Sequence, residues 1–392
     1  MAITTSENQL FTEVRVGEMK LIHRVVMPAT SRLRAQWPSS VPSELMLEYY
    51  TQRASDGGLI IAESSAVSPA GRAYHTGPGL YSESQAAGWH RITDAVHKKG
   101  GSVFAQLTHA GRATSSEIIG VQPVSASVDP SFWADKSIVV SGPNGFTLPS
   151  THRSLEVREI SEIVDEFRFA AQNAKQAGFD GIEILAGQGH LVEQFLQDRS
   201  NKRTDLYGGS IENRERFLIE VLGAVVSVWG AERVGVRISP SGTFSHMGDS
   251  NARALFNHLA ERLNSFGLAY LHIIEPRISG ADTLNDTEPP VATEELGEHF
   301  DGPIIAAGGF TAETAERAIR DGLASLIAFG RFFTSNPDLP FRLKNQLPLT
   351  PYDRSTFYAF DAKGYTDFPF YDAVSTQAVR DAEALPKEGQ LT

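Results

Sequence analysis

Arg237 is where chemistry can first be read. It lies inside an apolar, β-branched run, Val234-Gly235-Val236-Arg237-Ile238. A guanidinium there must meet an anion or an electron-rich acceptor, or leave a charge unpaired. Two readings are open: it faces a bound ligand, or it pairs with Glu63 or Glu183 as a structural ion pair. Gln106, near the end of another such run, carries an amide that can donate and accept at once. Gly308-Gly309 and Gly330-Arg331 each follow an apolar run. Such glycine turns offer backbone N–H groups to phosphate, and an arginine adds a forked cation. The plainer explanation is turn geometry alone. His109 and His190 are candidates for acid–base work, although a lone histidine more often serves structure. Ser31, Arg32, Glu63, Ser64, Thr108, Arg112, Gln188 and Glu275 are further polar residues at the ends of such runs.

These residues need a scaffold that brings run ends together. Eight short apolar runs recur, at 25–27, 59–62, 102–107, 181–185, 234–238, 270–274, 303–307 and 326–329. Their near-continuous apolarity suits parallel strands covered on both faces. The stretches between them have helical period. Ile160, Ile163, Val164, Phe167, Ala171 and Ala174 fall on one face, with Gly178 placed as a stop. Phe217, Leu218, Val221, Leu222, Val225 and Val226 repeat that pattern, and Ser82 with Gln85 reads as a capping box. Eight alternations predict a single (β/α)8 TIM barrel, in which the C-terminal strand ends carry the chemistry. The barrel spans about 20–345 and a tail about 346–392, one domain over 1–392. Long loops at 113–157 and 275–295 fall on the C-terminal face, and tail aromatics such as Tyr352, Phe357 and Tyr358 either cover the barrel mouth or cap an apolar edge.

Composition excludes other classes. The chain has 392 residues, no cysteine, and 35 Lys+Arg against 47 Asp+Glu, a net charge of −12. Without cysteine there are no disulfides, thiolate nucleophiles or Cys-ligated metals. The acidic balance argues against a nucleic-acid partner. No run approaches the roughly 18 apolar residues that span a membrane. The N-terminus lacks a signal-peptide pattern, so a cytoplasmic protein is expected. No lysine lies in a strand run, against a Schiff-base aldolase, and the scattered histidines argue against a metal hydrolase.

Longer motifs then resemble one family. Arg24-Val25-Val26-Met27-Pro28, Glu48-Tyr49-Tyr50-Thr51-Gln52-Arg53-Ala54, Gln106-Leu107-Thr108-His109-Ala110-Gly111-Arg112, Tyr207-Gly208-Gly209-Ser210-Ile211-Glu212-Asn213-Arg214, Ala328-Phe329-Gly330-Arg331 and Gly364-Tyr365-Thr366-Asp367 occur in order. From about 9 to 373 the chain resembles the Old Yellow Enzyme family of FMN-dependent ene-reductases. The resemblance implies FMN as cofactor, NADPH as reductant and a small conjugated alkene as substrate, in a monomer or homodimer. It implies backbone contacts to the flavin from Pro28, Ala29 and Ser64, and a Ser31 hydroxyl at flavin O4. Gln106 would meet the pyrimidine edge, and Arg237 would stand by N1 and O2, where reduced flavin gathers charge. Gly308, Gly309, Gly330 and Arg331 would hold the phosphate, and Tyr365 would lie near the substrate.

The substrate half departs from the family pattern. Where the family usually has a carbonyl-holding His and Asn and a proton-donating Tyr, this chain reads Leu185, Gln188 and His190. Leucine donates no hydrogen bond, and losing one such donor costs on the order of 10²–10³ in rate. Gln188 keeps an amide on a longer arm. His190, with a reference pKa of about 6.5 against about 10 for Tyr, is suited to shuttling protons near neutral pH, and otherwise merely lines the pocket. Two enzymatic readings follow. One is NADPH-driven reduction of the C=C of a specialised substrate, such as a secondary metabolite. The other is an FMN enzyme without net ene reduction: an isomerase, a desaturase or a cyclisation enzyme. A third, non-catalytic reading is a flavin-binding protein acting through interaction.

Overall fold

The computed structural model describes residues 8–279, 282–283 and 291–372. All eight predicted runs are strands: β1 (Val25–Met27), β2 (Leu59–Ile61), β3 (Ser102–Thr108), β4 (Gly181–Ala186), β5 (Val234–Ile238), β6 (Tyr270–Ile274), β7 (Ile304–Ala307) and β8 (Leu326–Ala328). They pair in parallel in chain order, and β8 pairs with β1, so the sheet closes into a barrel. Helices return the chain on the outside: α1 (Glu44–Arg53), α2 (Glu83–His97), α3 (Val157–Gln176), α4 (Ile211–Trp229), α5 (Ala252–Asn264), α6 (Thr293–Leu296) and α7 (Ala312–Arg320). The fold is therefore the expected (β/α)8 barrel. No helix among the described residues is long and apolar enough to cross a membrane.

The outer core is helix against strand. The predicted stripe of α3 packs inward, with Ile160 and Phe167 fully buried, and Gly178 stops the helix at φ +78°, which a residue with a Cβ rarely adopts. Each large apolar side chain so buried contributes about 1.5–3 kcal/mol relative to exposure. A second, smaller core fills the barrel: Val26, Ile61, Phe104, Tyr270 and Ile305 pack with Val16 and Leu21 of a hairpin that precedes β1.

One capping expectation is corrected. Ser82 does accept from the Gln85 N–H, but the Gln85 side chain accepts from the Tyr81 N–H at 2.8 Å and donates to the Ser39 carbonyl. It ties the helix to neighbouring loops instead of closing a reciprocal box. The long loop after β3 is structured, with short helices at Ser116–Ile119 and Pro130–Ala134 and a hairpin at Val140–Gly142 and Gly145–Thr147. Of the loop after β6, residues 280–281 and 284–290 lie outside the described residues, as does the tail beyond 372.

Candidate active site

A cavity of about 780 Å³ opens at the C-terminal strand ends. Pro28, Ala29, Ser31, Ser64, Gln106, Gln188, His190, Arg237, Gly308, Gly309, Gly330 and Arg331 all line it. Of the residues that the family resemblance places at the site, Tyr365 does not, and of the other strand-end candidates His109, Glu63, Thr108, Arg112 and Glu275 are also absent from the lining. The chain's net charge is −12, yet no Asp or Glu is among the described lining residues, whereas Arg32, Arg237, Arg277 and Arg331 are. Such a lining focuses positive potential on an anionic ligand.

Arg237 projects from β5 and is half-buried. It makes neither of the ion pairs considered for it. Its Nη1 donates to the Ala29 carbonyl at 3.0 Å, and its buried Nε–H has no partner. Glu63 instead accepts the backbone N–H groups of Arg32 and Leu33 at 3.0 and 3.2 Å. Burial pulls the guanidinium below its ordinary value, and Glu183 opposes that from a distance. On β3, Gln106 donates through Nε2 to Glu183 at 2.6 Å. The Ser31 hydroxyl lies 3.3 Å from that of Ser64.

At the ends of β7 and β8 the backbone itself forms the wall. Gly308 and Gly309 have φ +130° and +67°. A Cβ on Gly308 would come within 2.9 Å of both Glu275 and Ile278. One on Gly309 would stand 3.4 Å from Nε of Arg277 and 3.8 Å from Nη2 of Arg331, so two guanidiniums converge on this turn. The donor set fits FMN: an amide, a cation with an unused N–H, and a glycine cradle flanked by two arginines. Residue types at strand ends did not single out Arg277, which lies two positions beyond Glu275 in the loop after β6.

The turn after β4 is built differently. Gln188 has φ +57°, a left-handed conformation that costs about 1–2 kcal/mol in a residue with a Cβ. The Gln188 N–H donates to the Ser239 hydroxyl at 2.9 Å, and that hydroxyl donates to Glu193 at 2.6 Å. Glu193 also accepts the Gly189 N–H at 2.6 Å. Burial pushes the Glu193 carboxyl up to about 8, despite the donors from Ser239 and Gly189. Leu185 presents an apolar side chain to the cavity.

His190 stands just before the short helix Leu191–Leu196 without capping it through its side chain, is buried, and is hydrogen-bonded through Nδ1 to the Thr108 hydroxyl. Burial pushes its pKa down to about 4. It is therefore a neutral ring at pH 7, which corrects the expectation of a shuttle titrating near neutrality. His109 is pushed down to about 3, by burial and then by His190. It is absent from the lining, and its Nδ1 accepts the Gly111 N–H at 3.0 Å, the structural role.

Tyr365 is also corrected. It is fully buried and stacked on Tyr49, with ring centroids 4.0 Å apart and planes at 8°. Arg34 covers its other neighbourhood at 4.5 Å, and its hydroxyl has no partner. Stacking and cation–π attraction hold it behind the wall. The aromatics that do reach the cavity from the tail are Tyr352, Phe357 and Tyr358. The same tail is strapped down by arginines from the loop after β1. Arg32 donates to the carbonyls of Phe357 and Gly364, and Arg34 to those of Asp361, Phe357 and Thr356. Tyr74, Phe146 and the segment 243–246 also line the cavity, and strand-end residue types gave no signal for them.

The comparisons with known proteins agree on one family. A model of the NADH:flavin oxidoreductase / NADH oxidase family matches residues 9–350. A 12-oxophytodienoate reductase 1 of Oryza sativa subsp. japonica is 41% identical over 375 residues, covering 94% of this chain and 95% of the relative. Flavin oxidoreductase hxnT of Emericella nidulans is 42% identical, covering 92% and 97%. Among solved structures, morphinone reductase in complex with tetrahydroNAD superposes with a TM-score of 0.86 at 42% identity, covering 94% and 99%. The old yellow enzyme homologue from Zymomonas mobilis gives 0.88 at 38% identity, covering 93% and 100%.

Proposed function

The chain belongs to the NADH:flavin oxidoreductase / NADH oxidase family, that of Old Yellow Enzyme, and from that premise we propose that it uses NADPH to reduce the activated C=C of a specialised conjugated substrate, such as a secondary metabolite. That it is an FMN oxidoreductase of a family acting on C=C bonds follows from the membership itself. The observation that carries the proposal is the cationic cavity, in which Arg237 keeps an unused N–H beside an ordered Gln106 and the glycine cradle.

Bound FMN supplies hydride transfer from a reduced nicotinamide to an electron-poor alkene. The chain's own residues do the rest. Gly308, Gly309, Gly330 and Arg331 bind the phosphate, and Arg277 adds a second guanidinium. Pro28, Ala29, Ser31, Ser64 and Gln106 seat the ring system. Arg237 would stabilise the negative charge that the ring system gains on reduction. Gln188 offers an amide to the substrate carbonyl. His190, neutral, acts as a hydrogen-bonding group: in the tautomer whose Nδ1 accepts from Thr108, its Nε2–H is a donor toward the substrate.

A second reading is favoured by Leu185, which removes one carbonyl donor, together with the neutral His190. In it the same site isomerises, desaturates or helps cyclise its substrate without net reduction. Product analysis of candidate conjugated carbonyl compounds with the FMN-loaded protein, with and without NADPH, decides. Products two hydrogens heavier that form only with NADPH support reduction. Products of unchanged mass, or two hydrogens lighter, support the second reading.

A further inference from the structure

Below the cavity the barrel holds a carboxylate–imidazole pair that the flavin contacts above leave unused. Glu183 on β4 and His272 on β6 are both completely excluded from solvent, and Nδ1 of His272 lies 2.7 Å from one Glu183 oxygen. The other oxygen accepts the 2.6 Å bond from Gln106. Strand register explains the meeting: Glu183 stands opposite Gln106 across β4–β3, and Arg237 opposite His272 across β5–β6. A well-packed apolar group is often as stable as a buried ion pair, so stability alone is weak reason for this one.

Two physical consequences point upward into the cavity. The first is orientation. A carboxylate only accepts, so Glu183 selects the amide face of Gln106 and fixes which way the group is turned. The carbonyl of Gln106 and its second N–H are left for a ligand edge that offers a donor beside an acceptor. The second is charge. Glu183 makes no hydrogen bond to Arg237, yet the two act on each other through space, each favouring the other's charged form. The carboxylate thus offsets part of the positive field that Arg237 presents to the cavity.

We propose that Glu183, buttressed by His272, is a positioning residue that sets the affinity and the reduction potential of FMN, by orienting Gln106 and by offsetting Arg237. The inference rests on the FMN reading. It goes beyond it by naming residues that touch neither cofactor nor substrate.

Three variants separate the two effects, read by FMN dissociation constant and by midpoint potential of the bound flavin, with circular dichroism to check folding. Glu183→Gln keeps an acceptor for Gln106 and removes the charge. Its potential should rise, because charge gained on reduction meets a less compensated Arg237, while FMN affinity stays within about fivefold, the scale of one net hydrogen bond. Glu183→Asp keeps the charge and draws it away from Gln106. Its potential should stay near that of the parent while affinity falls about tenfold. Glu183→Leu should show both effects. An unchanged or lowered potential in Glu183→Gln overturns the charge role, and unchanged affinity in Glu183→Asp overturns the orienting role. If Glu183→Leu does not fold, the other two decide. A parent protein that takes up no FMN defeats the FMN reading itself. Parent protein that binds FMN, with variants that do not differ from it, defeats only this inference.

Discussion

The two halves of the cavity wall solve different problems. The wall from β1 to β3, with β5, β7 and β8, is made of strand-end side chains and glycine backbone fixed by the barrel's register. Arg237 leans on the Ala29 carbonyl, Gln106 is held by Glu183, and the glycines are shaped by what crowds them. The wall after β4 is a turn, left-handed at Gln188, held from below by Ser239 and Glu193. Its exposed chemistry is an apolar Leu185, an amide and a neutral imidazole. On the function proposed above, the groups assigned to the cofactor are set by the scaffold, and those assigned to the substrate sit on a turn that is left-handed at Gln188.

Five experiments break or sharpen that contrast. The largest effect is expected on the scaffold side: Arg237→Leu should weaken FMN binding by about 10²-fold or more, measured by flavin fluorescence on titration, because a desolvated charge contact is worth several kcal/mol. Retained FMN affinity would erase the distinction between the halves. On the turn side, Leu185→His combined with Gln188→Asn should raise kcat/KM for simple cyclic enones by about 10²-fold with FMN affinity unchanged. No gain would mean that cavity shape, not the donor pair, excludes them. His190→Phe should lower turnover about tenfold while FMN stays bound. In the parent, the pH–rate profile should show no histidine inflection between pH 6 and 8. The imidazole's pKa in the fold, about 4, is depressed below its free value, so protonation and loss of activity through this group appear only as pH falls toward 4. The smallest effect belongs to Tyr365→Phe. The hydroxyl has no partner and the ring does not reach the cavity, so kinetics should be unchanged and thermal stability should move by about 0.5 kcal/mol or less. A kinetic effect would return Tyr365 to the substrate side.

The same contrast governs how much was legible in the amino-acid sequence. All eight strands announced themselves, because a parallel strand buried on both faces must be almost wholly apolar, as at 59–62 and 270–274. Arg237 stood out for the same reason, as a charge inside such a run. That it pairs with neither Glu63 nor Glu183 was not legible, since that depends on register between strands far apart in sequence. Depth was also hidden. Tyr365 reads as one aromatic among many in the tail, and only packing shows that Tyr49 and Arg34 keep it behind the wall. Likewise the identity of His190 suggests titration near neutrality, while its burial, a property of the fold, removes it.

The strap between the tail and the loop after β1 has a consequence for biogenesis. Arg32 and Arg34 emerge from the ribosome early, yet their acceptors at 356–364 are made more than 300 residues later; the bond from Arg32 to Gly364 spans 332 positions. Until those carbonyls arrive, Arg32 keeps only the Tyr49 hydroxyl and Arg34 only the Arg32 carbonyl among their acceptors, and the wall carrying Phe357 and Tyr358 is missing. The finished pocket is therefore assembled late in synthesis. A nascent chain can complete its strands, but it closes the pocket around a small molecule only after the last stretch of the wall has been synthesised.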